Sequence, residues 1–307
     1  MTYFNNIKNM INPIFDELLK LKLISKTNLI TLNNKTRDKK IKVIKDLKTE
    51  IIFLEKYITN NRYYSSLKYE NNRRKKGKKT VNVKRSCGNI KLISLEDDHR
   101  RIIQFQRYLK NKEILDFGCG WGGFLKDIKN YKSLSGIELR KECISYIKKN
   151  IKKINVFSNI NAFKKKFDVI TMFHVLEHIP YQIDTLKILK SKLRNNGKII
   201  IEVPHAKDFL ILQDEIKEFK NFTFWSEHLI LHTQKSLRTV LAKAGFKRIN
   251  IFFYQRYNLS NHLGWFLKKK PGGHNYYNKF ISEKLNLSYC ENLKKIGQTD
   301  TLIAVAQ

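Results

Sequence analysis

An α/β fold, with a mostly parallel sheet covered on both faces by helices, is what the sequence predicts. Three observations lead there. From about residue 96 onward, short apolar runs alternate with helical patterns. A glycine cluster, Gly118-Cys-Gly120-Trp-Gly122-Gly123, sits where the first such run gives way to a helix. The acidic residue Glu138 then closes the second run, 22 residues after Asp116.

The elements follow in order. A helix over 96–109 precedes the strand Glu113–Phe117. The glycine loop opens a helix to about 130, and 134–138 is the second strand. A helix over 141–152, a strand over 155–160 and a strand over 167–172 come next. A helix over 181–194 is expected to end at Asn196-Gly197, ahead of a strand over 198–203. A helix over 234–244 stops at Gly245, a C-capping glycine, and strands over 248–255 and 301–306 complete the set. Residues 258–298 have no place in a minimal sheet and read as an insertion or lid hinged at Gly272-Gly273.

Residues 1–95 read as an N-terminal accessory region. Residues 1–24 have helical apolar spacing, and Ile41–Leu54 reads as two short strands around a polar turn. Tyr63, Tyr64 and Tyr69 lie before a basic run at 73–79. The expected organisation is therefore an accessory region at 1–95 and a catalytic domain at 96–307.

Composition narrows the function classes. The 307 residues include 61 Lys+Arg against 27 Asp+Glu, a formal charge of +34, yet 42% are hydrophobic, enough for a proper core. Lysines outnumber arginines 48 to 13, and Asn and Ile are abundant. That bias is what an AT-rich coding sequence produces, so the charge by itself does not identify a phosphate-bearing partner. The four cysteines stand far apart, which argues against a disulfide scaffold or a zinc ribbon. No run of 18 apolar residues and no signal-peptide pattern is seen, so a cytoplasmic protein without a transmembrane segment is expected.

The glycine loop carries the first chemistry. Glycines at a strand–helix junction allow a tight turn and close approach of a ligand to free helix N–H groups. The carboxylate of Glu138 can accept hydrogen bonds from both hydroxyls of a ribose, contacts worth about 1.5–3 kcal/mol when charged. The same glycines fit a dinucleotide fingerprint. Asp116 argues against that reading, because its charge would meet a pyrophosphate but would attract a sulfonium.

With these residues in view, Ile114-Leu-Asp-Phe-Gly-Cys-Gly-Trp-Gly-Gly-Phe124, then Gly136-Ile-Glu138, then Phe167-Asp-Val-Ile-Thr-Met-Phe-His-Val-Leu-Glu-His-Ile-Pro180, resemble a class I S-adenosylmethionine-dependent methyltransferase over about residues 96–257 and the final strand. The resemblance implies a Rossmann-like, doubly wound, seven-stranded sheet in order 3-2-1-4-5-7-6, its last strand antiparallel. It implies S-adenosylmethionine as cofactor, held by Asp116, Gly118, Gly120, Gly122 and Glu138. Asn159 or Asn161 would lie near the adenine and His174 beside the sulfonium.

The acceptor side is read from histidines at strand ends: His174, His205, His228 and His232. His228, with Glu227 beside it to orient and polarise the ring, is the leading candidate base; His205 and His174 are further candidates. His174 and His178 have the i, i+4 spacing of a metal pair, but the resemblance gives that segment to the cofactor, so no metal is expected. Trp225, His262, His274 and Tyr64 are candidate substrate contacts. Pro204-His205 and Glu227-His228 also resemble the deoxysugar C-methyltransferase branch, although Trp225 stands where that branch has a tyrosine, and its zinc module and C-terminal domain are missing.

The expected activity is C- or O-methylation of a small polar acceptor, a nucleotide- or lipid-linked sugar in surface polysaccharide assembly. An RNA methyltransferase and a quinone or phenol O-methyltransferase are the alternatives, with a non-catalytic cofactor-binding protein as a third class. Nucleic acid is a possible partner but not the favoured one, and the oligomeric state is open.

Overall fold

A computed structural model describes residues 12–58 and 96–307. The strands, in chain order, are β1 (Leu29–Asn33), β2 (Val43–Asp46), β3 (Ile52–Leu54), β4 (Glu113–Phe117), β5 (Ser133–Ile137), β6 (Ile154–Phe157), β7 (Phe167–Phe173), β8 (Leu193–Pro204), β9 (Ile230–Leu231), β10 (Asn250–Tyr254) and β11 (Thr301–Ala306). Seven of them form one sheet in the order β10-β11-β8-β7-β4-β5-β6. Numbered within that sheet alone, this is the expected 3-2-1-4-5-7-6. Strand β4 pairs in parallel with β5 and β7, β5 in parallel with β6, and the last strand β11 antiparallel with β10. The central strands are apolar almost throughout, as strands covered on both faces must be.

Some elements are shorter than expected: the helix opened by the glycine loop ends at Asp127, and the strand expected over 155–160 ends at Phe157. The helix Gln182–Ser191 ends earlier than Asn196-Gly197, and β8 already begins at Leu193. Asn196 takes φ +66°, and a Cβ on Gly197 would lie 3.0 Å from the Arg194 carbonyl. The Asn-Gly pair therefore bends the start of a strand rather than stopping a helix.

By packing, the chain has two compact units. Among the described residues, one holds 12–58, 174–187 and 201–306, and the other holds 96–173, 188–200 and Gln307. This division differs from an accessory region ending at 95. In the first unit the expected hairpin, β2 with β3, forms the middle of a four-stranded antiparallel sheet, β1-β2-β3-β9. Its fourth strand comes from residues 230–231, so the N-terminal hairpin is completed by distant sequence. Phe15, Ile44, Ile52 and Phe53 share one apolar core with Leu210, Phe219, Phe224, Ile230 and Trp265. Burying such side chains is worth about 1.5–3 kcal/mol each, so the packing, not the composition, draws the boundary.

Local chemistry supports these elements. The first helix, Pro13–Lys20, starts with Asn12 capping the Ile14 amide and with proline in its first turn. Asp46, fully buried, closes the hairpin by accepting from the Lys48 and Thr49 amides, the Thr49 hydroxyl and the Ser25 amide. No helix among the described residues is long and apolar enough to cross a membrane.

Candidate functional site

In the unit built on β4–β7, the sheet register places Asp116 between Gly136 and Thr171. The Thr171 hydroxyl donates to Asp116 at 2.7 Å. Burial pushes the Asp116 carboxyl up to about 7, with Asp98 and Glu138 adding repulsion against the pull of Arg101. The loop after β4 reverses through Gly118, Gly120 and Gly122, with φ of +86°, +55° and +77°. The Gly118 and Cys119 amides donate to the Ile137 carbonyl, which ties the loop to the end of β5. A Cβ at Gly122 would lie 3.2 Å from Ile147, so both backbone angle and space call for glycine there.

Glu138 follows β5 and is 7% exposed. Its Oε1 accepts from the Leu139 and Arg140 amides and from Arg140 Nε; its Oε2 accepts from Arg140 Nη2 at 3.0 Å. The carboxylate is therefore held by Arg140 and not bare, a partner that strand-end reasoning does not supply. Asn159 and Asn161 are exposed beyond β6, and the Asn159 side chain accepts from the Asn161 amide as a local cap.

The other unit contains a cavity of about 220 Å³. Trp225, Phe222 and Trp265 give it aromatic walls; His205, Asp208 and Arg256 are among its polar lining. Of the candidate residues, His174, His205, Trp225, His228 and His274 line it, whereas Glu227 and His262 do not. His262 is a core residue: 1% exposed, it accepts from the Gln255 amide nitrogen, contacts the Tyr289 hydroxyl at 2.7 Å and stacks on Phe209. The expected substrate contact is thus replaced by internal hydrogen bonding. Tyr64 lies outside the described residues.

His174 has an unusual backbone for a non-glycine residue, φ +53°, and donates its amide to the Glu202 carbonyl. Burial and Arg256 push its ring down, but hydrogen bonds to Glu177 and Glu202 outweigh them and hold it above its ordinary value. Burial would raise Glu177; the His174 hydrogen bond and the neighbouring histidines hold it at about 2 instead. His228 is pushed down to about 3 by burial and by His178. His205 is pushed down to about 4 by burial, and its Nδ1 donates to the Thr299 carbonyl, leaving Nε2 buried and without a hydrogen-bond partner among the described residues.

Glu227 precedes His228 and also meets the neighbouring His178 through its backbone. Its backbone carbonyl accepts from His178 Nδ1 at 2.8 Å. His232 is fully buried and bonded to Gln182 and Ser236, a structural role.

Residues 94–250, half of the chain, match the profile of a methyltransferase domain. The chain belongs to the S-adenosylmethionine-dependent methyltransferases. The methyltransferase is 31% identical over 162 residues to the tRNA U34 carboxymethyltransferase of Nautilia profundicola, covering 48% of this chain and 52% of that protein. It is 27% identical over 124 residues to the ubiquinone biosynthesis O-methyltransferase of Coxiella burnetii, covering 37% and 53%. It thus spans about half the length of these curated relatives. Among solved structures it is similar to a SAM-dependent methyltransferase from Archaeoglobus fulgidus (20% identity, 67% of this chain, 91% of that one, TM-score 0.45).

The loop-and-carboxylate arrangement of the methyltransferase fits that cofactor. Three glycines with positive φ shape the loop after β4, and two buried carboxylates, Asp116 and Glu138, favour a cationic ligand over a pyrophosphate.

Several residues of the cavity were not singled out from sequence. Asp208 and Asp300 are buried beside one another, and Arg256 and Tyr257 donate backbone N–H groups to Asp300. The expected lid contributes a wall through Asn261, Trp265 and Pro271. At its Gly272-Gly273 turn the packing is close: a Cβ on Gly264 would lie 2.8 Å from the Gly273 Cα. The Trp225 segment is clamped from the N-terminal side. The Arg37 guanidinium lies 4.4 Å over the Trp225 ring, and Asp38 accepts from the Ser226 amide and hydroxyl.

Two outcomes are expected from this geometry. Asp38→Ala removes both acceptors from Ser226; it should raise the acceptor KM several-fold, cost about 1–3 kcal/mol of stability, and leave cofactor affinity unchanged by calorimetry. Burial, with Asp300 adding to it, pushes Asp208 up to about 8. The folded state thus keeps a proton that the unfolded chain releases from about pH 4 upward, so stability falls as pH rises from 4 to 8. Asp208→Asn cannot ionise and should melt higher than the parent at pH 8.5, with the gap closing by pH 5. A gap independent of pH would show that Asp208 is not the group responsible.

Proposed function

We propose that the methyltransferase moves a methyl group from S-adenosylmethionine to a hydroxyl or carbon of a single-ring polar acceptor, of the nucleotide- or lipid-linked sugar class. The 220 Å³ cavity carries this reading. Small-molecule sites span about 300–1,000 Å³, so this one suits one ring rather than a polymer. Aromatic faces at Trp225 and Trp265 suit the apolar face of a sugar, and Asp208, Arg256, Asn261 and His205 suit its hydroxyls. A quinone would favour a wall with fewer charged groups.

When bound, the cofactor supplies a methyl carbon made electrophilic by its sulfonium. The protein supplies position. Asp116, the glycine loop and Glu138 hold the donor, and the cavity walls hold the acceptor ring. In O-transfer the acceptor oxygen forms the new bond to the methyl carbon. The C–S electron pair would stay on sulfur, and the hydroxyl proton would pass to solvent water, directly or by way of a cavity-wall imidazole. His205 Nε2 is neutral with its lone pair unengaged, but it is buried, so it can accept a hydrogen bond from that hydroxyl only after the ring turns toward the cavity. His228, held to about 3, takes up a proton poorly near neutral pH and acts better as a lone-pair donor.

The test is methyl transfer from radiolabelled S-adenosylmethionine to a panel of nucleotide-sugars, with total tRNA and a catechol in parallel. Label in a sugar product alone supports the reading. The likeness to a tRNA-modifying enzyme and the net charge of +34 make tRNA the rival acceptor, and label in tRNA alone would replace the sugar with it.

A further inference from the structure

Beside the acceptor cavity, Glu177, His178 and His228 come together. One ligand atom from each lies within 4.8 Å of the other two. Glu177 is fully buried. Its Oε1 is 3.2 Å from His174 Nδ1 and 4.0 Å from His178 Nε2. Its Oε2 has no hydrogen-bond partner among the described residues. Folded proteins rarely leave a buried carboxylate oxygen without a donor, and a cation removes the cost of doing so.

The imidazoles are set for coordination. His178 Nδ1 lies 2.8 Å from the Glu227 carbonyl. A carbonyl only accepts, so Nδ1 carries the proton and Nε2, on the Glu177 side, carries the lone pair. Metal-bound histidines typically donate their other N–H in this way to a backbone carbonyl. The His228 ring stands edge-on to His178, with centroids 4.9 Å apart. His228 also lines the cavity, so an ion held here faces the acceptor.

The backbone makes the group rigid. The Leu229 amide donates to the Glu177 carbonyl at 2.8 Å, while the Leu229 carbonyl accepts from the Leu54 amide. The His228 segment is thereby stapled to the 176–178 turn on one side and to β3 on the other. His174 serves from behind, since its Nδ1 holds Glu177 and its Nε2 meets Glu202 and Arg256. The i, i+4 pair suggested by spacing is therefore replaced by a pair joined across 50 residues of chain.

We propose that Glu177, His178 and His228 bind one divalent transition-metal ion at the wall of the acceptor cavity, leaving a coordination position for an acceptor oxygen. Two imidazole nitrogens and one carboxylate oxygen suit Zn²⁺ and its neighbours, not Ca²⁺ or Mg²⁺, which take oxygen ligands. Zn²⁺ bonds such atoms at about 2.0–2.2 Å in tetrahedral geometry, which sets them about 3.3–3.6 Å apart, so side-chain rotation has to bring the widest pair in by about 1.4 Å. The role of the ion rests on the hydroxyl acceptor proposed above: coordination lowers the pKa of the hydroxyl and favours loss of its proton.

The experiment uses the full chain, stripped with EDTA. Calorimetric titration with Zn²⁺ should show one ion per chain, and Co²⁺ should give a visible absorption band from an imidazole–carboxylate site. His228→Ala and His228→Gln should each weaken Zn²⁺ at least tenfold and remove the Co²⁺ band, while S-adenosylmethionine binds as before. No Zn²⁺ uptake, or uptake unchanged in both variants, would overturn the site. Zn²⁺ binding that depends on His228, with no sugar methylated in the acceptor screen, would leave the metal site standing and remove the sugar reading.

Discussion

Gly136→Ala should lower the melting temperature by several degrees and weaken S-adenosylmethionine binding, and adding Cys119→Ala should reverse both effects. A Cβ at Gly136 would lie 2.6 Å from Cys119 Sγ and 3.3 Å from its Cβ. Cys119 is buried between Gly118 and Gly120 and is tied by its amide to the Ile137 carbonyl, so it has little room to move. Overpacking of this kind costs about 1–3 kcal/mol. At about 2–4 °C per kcal/mol in a domain of 150–250 residues, thermal melting resolves it. The displaced thiol belongs to the glycine loop, to which the family resemblance gives the cofactor, so stability and binding should fall together. A double variant as unstable as the single one would place the strain elsewhere.

Glu138→Ala should raise the dissociation constant for S-adenosylmethionine about ten- to a hundredfold. The family resemblance places the ribose at this carboxylate, and a hydrogen bond to a charged group is worth about 1.5–3 kcal/mol. The structure adds a competitor: Arg140 contacts both carboxylate oxygens. Arg140→Ala separates two roles. If it weakens the cofactor as much as Glu138→Ala does, Glu138 works by anchoring Arg140. If it leaves affinity intact, the carboxylate itself meets the ligand. Calorimetry on the three proteins decides between them.

The loop-and-carboxylate arrangement was legible from sequence because its signals are local. Asp116, the glycine loop and Glu138 lie on consecutive strand–turn–helix segments, and their spacing is set by backbone geometry that any reader of sequence can apply. The cavity was legible only in part. His174, His205, Trp225, His228 and His274 do line one cavity, as their positions at strand ends and in the 258–298 block suggested. His262 has the same residue type and a similar neighbourhood in sequence, yet Gln255, Tyr289 and Phe209 make it a core residue. Nothing in the order of residues distinguishes the two cases.

The sequence by itself determined the sheet, its strand order through the family resemblance, and the glycine loop. Hydrophobic period and turn chemistry act within a few residues, and those are what a linear reading can weigh. Tertiary structure decided what meets across long separations. It joined residues 230–231 to the N-terminal hairpin, set Arg37 and Asp38 on the Trp225 segment, and placed His228 against Glu177 and His178. These contacts depend on burial and register between segments 50 to 190 residues apart, where each partner alone looks like an ordinary surface loop.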